Sequence, residues 1–250
     1  MNTNFRLTIK YDGTRYNGWQ RQGNTANTIQ GRLEDVLGKM CGTDVELAGS
    51  GRTDAGVHAM AQTANFKADI DMTPEDVKAY LNRYLPEDIA VTDVDIVPER
   101  FHSRLNARKK TYLYRIYTGD SKPVFDRKYI FVPDEARRKL DVNAMKAAAG
   151  YLLGEHDFRS FCGNKNMKKS TVREIYSIDF AIENDELKIY FTGNGFLQNM
   201  VRIITGTLLE IGEGRLKPDD MKKILESRDR SQAAGMAPAC GLTLLRVDYR

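Results

Sequence analysis

The order in which two hydrophobic periodicities follow one another constrains the fold of this chain more than any other sequence feature. From Phe5 to Tyr11, apolar and polar side chains alternate, as they do in a half-buried strand. From Ile29 to Met40, apolar side chains recur three and four residues apart, which is typical of one face of a helix. The chain therefore begins as a mixture of strands and helices, and such helices are expected to cover one face of a sheet.

These patterns predict the order strand, helix, strand, strand, helix, strand in the first part of the chain. The segments are Phe5 to Tyr11, Ile29 to Met40, Val45 to Leu47, about His58 to Phe66, a helix that Thr73 caps and Pro74 opens, and Ile89 to Val97. This order is the ferredoxin-like, or split βαβ, arrangement.

The second part of the chain repeats that order less cleanly. It predicts a strand from Thr111 to Tyr117, an insertion through Val132, a helix from Val142 to Leu153 capped by Asp141, a hairpin of Arg173 to Ile182 and Leu187 to Thr192, an apolar helix from Leu197 to Ile211, a helix from Pro218 and a strand from Leu242 to Tyr249. We therefore predict an α+β fold of two ferredoxin-like halves, residues 1–105 and 106–250, related by pseudo-twofold symmetry. Their sheets are expected to join edge to edge into a mainly antiparallel sheet with helices on one face. The functional site is expected in the cleft between the halves.

The segment from Gly49 to His58 has the composition of a reactive loop. Its glycines permit backbone conformations closed to other residues, and Arg52 lies two positions before Asp54, where its charge favours an ionised carboxylate. An ionised, positioned carboxylate can serve as a nucleophile or a base. The alternative is a turn carboxylate that only caps backbone amides. A dinucleotide site is excluded, because Asp54 stands where the third glycine of that fingerprint belongs and a strand follows.

Overall charge says little about partners, but local charge says more. The 38 Lys and Arg exceed the 34 Asp and Glu by four, and the pI of about 8.8 does not by itself indicate a nucleic-acid binder. One basic run is interleaved with aromatic residues, which suits a phosphate backbone and exposed bases: Arg104, Arg108, Lys109, Lys110, Tyr112, Tyr114, Arg115 and Tyr117. A second run is Lys165, Lys168, Lys169 and Arg173, and a third, Arg137 to Lys139, is interpreted as a solvated face. For Tyr112 and Tyr114 the alternative is core packing.

Several classes of protein are excluded by residue spacing. The three cysteines are odd in number and far apart, and the three histidines lack zinc-ligand spacing, so neither a disulfide framework nor a metal site is expected. No apolar leader or membrane-spanning stretch is evident, so we expect a soluble, cytoplasmic protein. Arg202 stands out because it interrupts an apolar helix, where an arginine needs an anionic partner. Asp54 is one candidate partner, and any other acid is the alternative.

Taken together, these segments resemble the tRNA pseudouridine synthase A family. The resemblance rests on Gly51 to His58 with Gln62 and Phe66, on Tyr11 to Gly13 and Gly18 to Gln22, on Phe101 to Arg104, on Lys110 to Tyr114, on Phe196 to Gly206 and on Gly241 to Leu244, and it spans essentially the whole chain. It implies an isomerisation of uridine to pseudouridine at nucleotides 38, 39 and 40 of the anticodon arm of tRNA. It implies no cofactor and no metal. It also implies a homodimer, with tRNA lying across both subunits.

The resemblance implies a role for each matching residue. Asp54 would be the nucleophile, Arg202 would pair with Asp54, and Arg52 would displace the target nucleotide or hold its phosphate. Tyr112 would stack on the target base, and Leu242 would pack against the site. Among substrate-binding residues we also place Arg104 and His58, the latter either orienting the loop, touching a phosphate or simply bonding to a backbone carbonyl.

Two other functions fit parts of the sequence. The first is a non-catalytic RNA-binding module of paired ferredoxin-like domains, in which aromatic and basic residues bind RNA without chemistry. The second is an enzyme acting on a small molecule, with the glycine loop holding its phosphate. The first leaves Asp54 and Arg202 without a function, and the second leaves the basic and aromatic run without one.

Overall fold

The predicted mixture of strands and helices is present in the computed structural model, which describes residues 2–23, 25–134, 139–164 and 166–249. The structure is of the mixed α+β class, and the strand pairs given by residue register are all antiparallel. Residues 137 and 138 of the third basic run and residue 165 of the second lie outside the described residues. Backbone proximity divides the chain into two compact units, Met1–Arg108 with Leu244–Arg250, and Lys109–Thr243.

The first unit contains the predicted ferredoxin-like order. Its elements are β1 (Thr3–Tyr11), α1 (Ile29–Cys41), β2 (Ala48–Gly49), β3 (His58–Ala68), α2 (Pro74–Tyr84) and β4 (Ile89–Val97). The strands lie in the order β4, β1, β3, with β2 paired to β3. The alternating apolar residues of β1, from Phe5 to Tyr11, are buried in the core. Helix α2 begins at its predicted cap, where Thr73 forms a capping box before Pro74. Helix α1 is capped by Thr28, whose hydroxyl accepts from the Gly31 N–H.

The strand predicted over Val45 and Leu47 is wrong in position, since β2 begins only at Ala48. The backbone of Leu47 is bonded by helix side chains instead of a neighbouring strand. Its N–H donates to the Glu34 carboxylate at 3.1 Å, and its carbonyl accepts from the Gln30 amide at 3.0 Å. Residues of α1 therefore hold the segment that leads into the Asp54 loop.

The second unit begins with the same order of strand, helix, strand and strand, but a further strand precedes its next helix. It contains β5 (Lys109–Tyr117), α3 (Val142–Gly150), β6 (Gly154–Asp157), β7 (Val172–Glu183), β8 (Glu186–Gly193), α4 (Met200–Gly212) and α5 (Asp220–Ser227). Its strands lie in the order β5, β8, β7, β6. The turn between β7 and β8 has positive φ at Asn184 and Asp185, as a tight hairpin requires. The last strand, β9 (Leu242–Asp248), begins in this unit, and its residues from Leu244 group with the first.

Two predicted helices are shorter than expected, and one strand was missed. Helix α3 ends at Gly150 rather than Leu153, and α4 begins at Met200 rather than Leu197, after Asn199 with φ of 59°. Strand β6 has the sequence Gly-Glu-His-Asp, which carries no hydrophobic alternation. The pseudo-twofold relation of two ferredoxin-like halves, 1–105 and 106–250, stays a prediction. Within the described ranges, no helix is long and apolar enough to span a bilayer.

Candidate active site

Asp54 lies at the start of a tight turn between β2 and β3, on the strand-to-strand connection that was predicted. The Val57 N–H donates to the Asp54 carbonyl at 3.1 Å and closes the turn. Gly56 has φ of 78°, a left-handed conformation that glycine adopts without steric cost. The Asp54 side chain is half-buried, while Thr53 before it and Val57 after it are buried. The backbone on either side of the carboxylate is therefore anchored in the protein interior.

Gln62 clamps the approach to this turn from β3. Its side chain is fully buried, at 0% exposure. Its amide donates to the Gly51 carbonyl at 2.9 Å, and its oxygen accepts from the Ser50 hydroxyl at 2.6 Å and the Thr63 N–H at 3.2 Å. The Ser50 N–H in turn donates to the Thr63 carbonyl at 2.7 Å. Because buried hydrogen-bonding groups are costly to leave unpaired, these bonds fix the backbone three residues before Asp54.

Tyr11 holds the residue directly before Asp54. Its hydroxyl lies 2.7 Å from the Thr53 hydroxyl, and both side chains are buried. Burial raises the pKa of Tyr11 well above its usual value, which keeps the phenol protonated and able to donate. The last residue of β1 thus bonds the loop that follows β2.

The segment containing Gly18 packs directly on the Asp54 turn. A Cβ on Gly18 would lie 2.7 Å from the Thr53 carbonyl oxygen and 3.2 Å from the Asp54 carbonyl carbon. Gly18 also has φ of 90°, so conformation and space both require glycine there. The next residue, Trp19, donates its backbone N–H to the Thr53 carbonyl at 3.0 Å. The start of the Gly18 to Gln22 stretch therefore packs against the backbone of the turn and limits where that backbone can lie.

His58 is buried at the end of the turn, at 3% exposure. Its Nδ1 accepts from the Gly13 N–H at 3.1 Å and lies 3.3 Å from an Asp12 carboxylate oxygen. Accepting a hydrogen bond requires a lone pair on Nδ1. This partner of Nδ1 is a backbone N–H, whereas the sequence analysis weighed a bond to a backbone carbonyl. This placement favours a role in joining the Asp12 turn to the loop over direct contact with a phosphate.

Arg52 is exposed, and a chain of side-chain amides orients it. The Arg52 Nε donates to the Gln20 side-chain oxygen at 2.9 Å. The Gln20 amide donates to the Gln30 side chain at 2.7 Å, and the Gln30 amide donates to the Glu34 carboxylate at 2.8 Å. Gln30 and Glu34 are buried on α1. The guanidinium is thereby tied through one edge to the helix, and its charge faces solvent.

Arg104 lies on a separate loop of the same unit. The loop is held by Asn65 of β3, whose side-chain oxygen accepts from the Ser103 N–H at 2.8 Å and the Ser103 hydroxyl at 2.9 Å. The Asn65 amide donates to Asn4 at 3.0 Å, and all three side chains are buried. The backbone N–H of Arg104 donates to His102 Nδ1 at 3.1 Å, and the Arg104 side chain is exposed. Arg104 is thus a surface cation on a fixed loop.

In the second unit, Tyr112 and Tyr114 share one buried face of β5. Tyr112 is 8% exposed, and its ring meets Phe196 edge to face with centroids 5.3 Å apart. Tyr114 is fully buried and donates its hydroxyl to the Pro238 carbonyl at 2.8 Å. Burial raises the pKa of Tyr114, while Arg202 acts in the opposite direction. Core packing thus accounts for Tyr114, and Tyr112 keeps a small exposed edge.

Arg202 lies on α4 and anchors the segment that precedes β9. Its Nε donates to the Ala237 carbonyl at 2.8 Å, and the Ala237 N–H donates back to the Arg202 carbonyl at 3.0 Å. Its side chain is half-buried. The Ala237 carbonyl thus accepts the hydrogen bond from the Nε edge of the Arg202 guanidinium. Leu242, the first residue of β9, is buried at 5% exposure.

The structure places the predicted residues in both units. Arg52, Asp54 and His58 share one loop of the first unit, and Arg104 lies on another. Tyr112, Arg202 and Leu242 belong to the second unit, on β5, α4 and β9. Sequence reasoning missed the supporting roles of several polar and aromatic residues: Tyr11, Gln20, Gln30, Gln62, Asn65 and Phe196. A glutamine inside an apolar strand was the available signal for Gln62. Among the described residues, no group of three acidic, His or Cys side chains is placed to hold a metal.

Comparison with known proteins gives one consistent result. A sequence profile of a family described as "tRNA pseudouridine synthase" matches residues 7–106 and 148–250. The chain is 48% identical over 246 residues to "tRNA pseudouridine synthase A 2" of Bacillus cereus, covering 98% of this chain and 99% of that protein. It is 50% identical to "tRNA pseudouridine synthase A" of Bacillus sp. (strain KSM-64), and 46% identical to the protein of that name from Caldicellulosiruptor bescii, with the same coverage.

A solved structure described as "Crystal Structure of a Cbf5-Nop10-Gar1 Complex" aligns with a TM-score of 0.37 and 12% sequence identity. The alignment covers 96% of this chain and 48% of that chain. Similarity at this level carries no conclusion about the present chain.

The clamp can be tested by its contribution to stability. Replacing Gln62→Leu removes the hydrogen bonds that the Gln62 side chain makes to Ser50, Gly51 and Thr63, so we expect a loss of about 1–3 kcal/mol in the free energy of unfolding. Ser50→Ala removes one bond and is expected to cost less, about 0.5–1.5 kcal/mol. Urea denaturation measures both, with exposed Gln232→Leu as control. An unchanged unfolding free energy for Gln62→Leu would contradict the clamp.

Proposed function

The chain belongs to the tRNA pseudouridine synthase family, and from this membership we propose that it converts uridine to pseudouridine at nucleotides 38, 39 and 40 of the anticodon arm of tRNA. As a member of this family it is an isomerase. The observation that carries the proposal is the family match over both parts of the chain, which includes the loop that carries Asp54.

The reaction rearranges bonds within one nucleotide. The bond between ribose C1′ and N1 of uracil breaks, the base turns, and C5 forms a new bond to C1′, while C5 loses its proton and N1 gains one. No electron is gained or lost, so the chemistry requires no redox cofactor. A base must leave its stack before it can be reworked, and a detached base must be retained in a site that excludes water.

We assign the nucleophile to Asp54. A carboxylate that attacks either C1′ of the ribose or C6 of the base splits the isomerisation into easier steps through a covalent intermediate. The turn that carries Asp54 is already bonded to buried groups through Thr53, Gly51 and Val57. A nucleophile on a fixed backbone loses little freedom when substrate binds, which favours reaction.

The proposed roles in the second unit follow the family resemblance. Tyr112 supplies the ring on which the target base stacks, and Phe196 fixes the orientation of that ring. Leu242 provides an apolar side chain beside the base. Arg202 is proposed to pair with the Asp54 carboxylate and keep it ionised, in addition to its bond with Ala237.

The remaining charged residues are proposed to handle the RNA backbone. Arg52 and Arg104 are exposed cations on fixed loops, which suits phosphate contacts. Arg52 is also proposed to help displace the target nucleotide from its stack. His58, being buried, is proposed to orient the loop rather than to touch RNA.

We further propose that two copies of the chain act together on tRNA in the cytoplasm. A net charge of +4 is modest for a chain that binds a polyanion, and two copies would assemble a larger positive surface. Free thiols at Cys41, Cys162 and Cys240 suit a reducing compartment.

Asp54→Asn tests the nucleophile while preserving the shape of the side chain. We expect the parent to release tritium from a tRNA transcript labelled at C5 of uridine, without added cofactor or metal. Asp54→Asn is expected to release none above background and still bind tRNA, because an amide is not nucleophilic.

Asp44→Asn, an exposed position of the same unit, is the matched control and should retain full release. Release by Asp54→Asn at the parent's rate would exclude Asp54 as the nucleophile. Binding of tRNA without release by the parent itself would support the non-catalytic RNA-binding function.

Substitutions at Tyr112 separate stacking from packing. Tyr112→Phe keeps the ring and should keep most of the activity, whereas Tyr112→Ala should lower kcat/KM by about 5–150-fold, since base stacking on an aromatic contributes about 1–3 kcal/mol. Tyr112→Leu retains apolar volume against Phe196 and should also lose activity. Single-turnover kinetics measure the rates, and a kcat/KM for Tyr112→Ala equal to the parent's would refute the stacking role.

Arg202 bonds to Ala237 and is also proposed to pair with the Asp54 carboxylate. Two variants separate these two contributions. Both Arg202→Lys and Arg202→Met lose the bond to Ala237, so both should unfold more easily, by about 1–3 kcal/mol. Only Arg202→Lys keeps a positive charge, so it should retain part of the turnover while Arg202→Met retains none. Equal turnover by the two variants would show that the charge has no part in the reaction.

A further inference from the structure

The second unit presents an exposed aromatic residue at the tip of an ordered loop between β5 and Phe131. We call residues 119–130 the Phe125 loop. The Phe125 side chain is 92% exposed and Val124 beside it is 57% exposed, whereas Ile130 at the end of the loop is buried. A single exposed apolar side chain is common on protein surfaces, so what distinguishes Phe125 is how its loop is held and which charges surround it.

The loop is held by bonds at its base and near its tip. At the base, the Tyr117 and Ser121 hydroxyls lie 2.9 Å apart, and Ile116 forms an isolated bridge with Phe131. Near the tip, Arg115 donates to the Asp126 carboxylate at 3.1 Å while it also makes two hydrogen bonds with Glu186, at 2.9 and 2.5 Å. The residue directly after Phe125 is thus tied to the sheet. The backbone that carries the Phe125 ring therefore loses little freedom on binding.

The charge around Phe125 is positive. Lys122, Arg127 and Lys128 are all exposed, and the guanidinium of Arg127 donates to the Val124 carbonyl, directly before Phe125 in the chain. The loop also carries Asp120 and Asp126, so its three cations exceed its carboxylates by one, and Asp126 shares the Arg115 guanidinium with Glu186. An exposed ring flanked by cations is the combination that binds unstacked bases and their phosphates.

We propose that the Phe125 loop is a second contact with the RNA substrate, in which the Phe125 ring stacks on an unpaired base and Lys122 contacts a phosphate. This inference rests on the proposed function, which supplies tRNA as the ligand. Self-association through the same loop is disfavoured, because two copies of Lys122, Arg127 and Lys128 would face each other. A protein partner would have to be acidic and to cover a single projecting ring.

The test is equilibrium binding of an unmodified tRNA transcript to the full chain at several salt concentrations. Phe125→Ala should weaken binding about fivefold or more, and Phe125→Trp should bind as well as the parent, because a stacking ring is restored. Phe125→Leu, which is apolar but cannot stack, should bind as weakly as Phe125→Ala. The slope of log K against log salt should stay the same for these variants and should fall by about 1 for Lys122→Ala, which removes a phosphate contact.

Ile182→Ala is the matched control, since Ile182 is 66% exposed in the same unit but is followed by Glu183, Asp185 and Glu186. It should bind tRNA like the parent. Parent-like binding by Phe125→Ala, or full binding by Phe125→Leu, would overturn the proposal. So would a change in oligomeric mass on Phe125→Ala, measured by light scattering, which would assign the loop to contact between copies. Tritium release by the parent is measured separately, so failure of the proposed function is distinguished from failure of this contact.

Discussion

The bonds that the fully buried Gln62 side chain makes to Gly51 and Ser50 are the interaction on which the candidate site most depends. Asp54 lies on a connection between strands, and such connections are usually the mobile part of a fold. Here the connection is bonded to β3 by a glutamine that is inaccessible to water. Tyr11 of β1 holds Thr53, two residues after Gly51. The loop therefore takes its geometry from the sheet.

This arrangement explains why polar residues occupy an otherwise apolar interior. A buried amide or hydroxyl is stabilising only when its hydrogen bonds are made, and it destabilises alternative arrangements in which they are lost. Gln62 and Asn65 both lie on β3, and their side chains bond to two different loops. Gln62 holds the loop that carries Asp54, and Asn65 holds the loop that carries Arg104. One strand thus fixes the two loops that carry Asp54 and Arg104. Close packing of Gly18 against the Asp54 loop further restricts the position of that loop.

The sequence predicted most elements because their periodicities are local. The strands Thr3–Tyr11 and Ile89–Val97 and the helix capped by Thr73 match the predicted segments closely. The strand predicted over Val45 and Leu47 was displaced because Leu47 bonds to the side chain of Glu34, which its own sequence does not show. Strand β6 was missed because its sequence has no hydrophobic alternation. In the site, Asp54 and Arg202 were identifiable as charged residues in unusual contexts. The bonds of Gln62 and the anchoring of Ala237 by Arg202 were not, because hydrogen bonds between distant segments leave no periodic pattern.

Amide hydrogen exchange in the free protein tests most directly whether the Asp54 loop is preorganised. The Ser50 and Val57 N–H groups donate to carbonyls of Thr63 and Asp54. We expect both amides to exchange as slowly as those of the β1–β3 ladder, through global unfolding, before any tRNA is added. If Ser50 and Val57 exchange many times faster than the ladder, and become protected only when tRNA binds, then the substrate and not the sheet orders the loop.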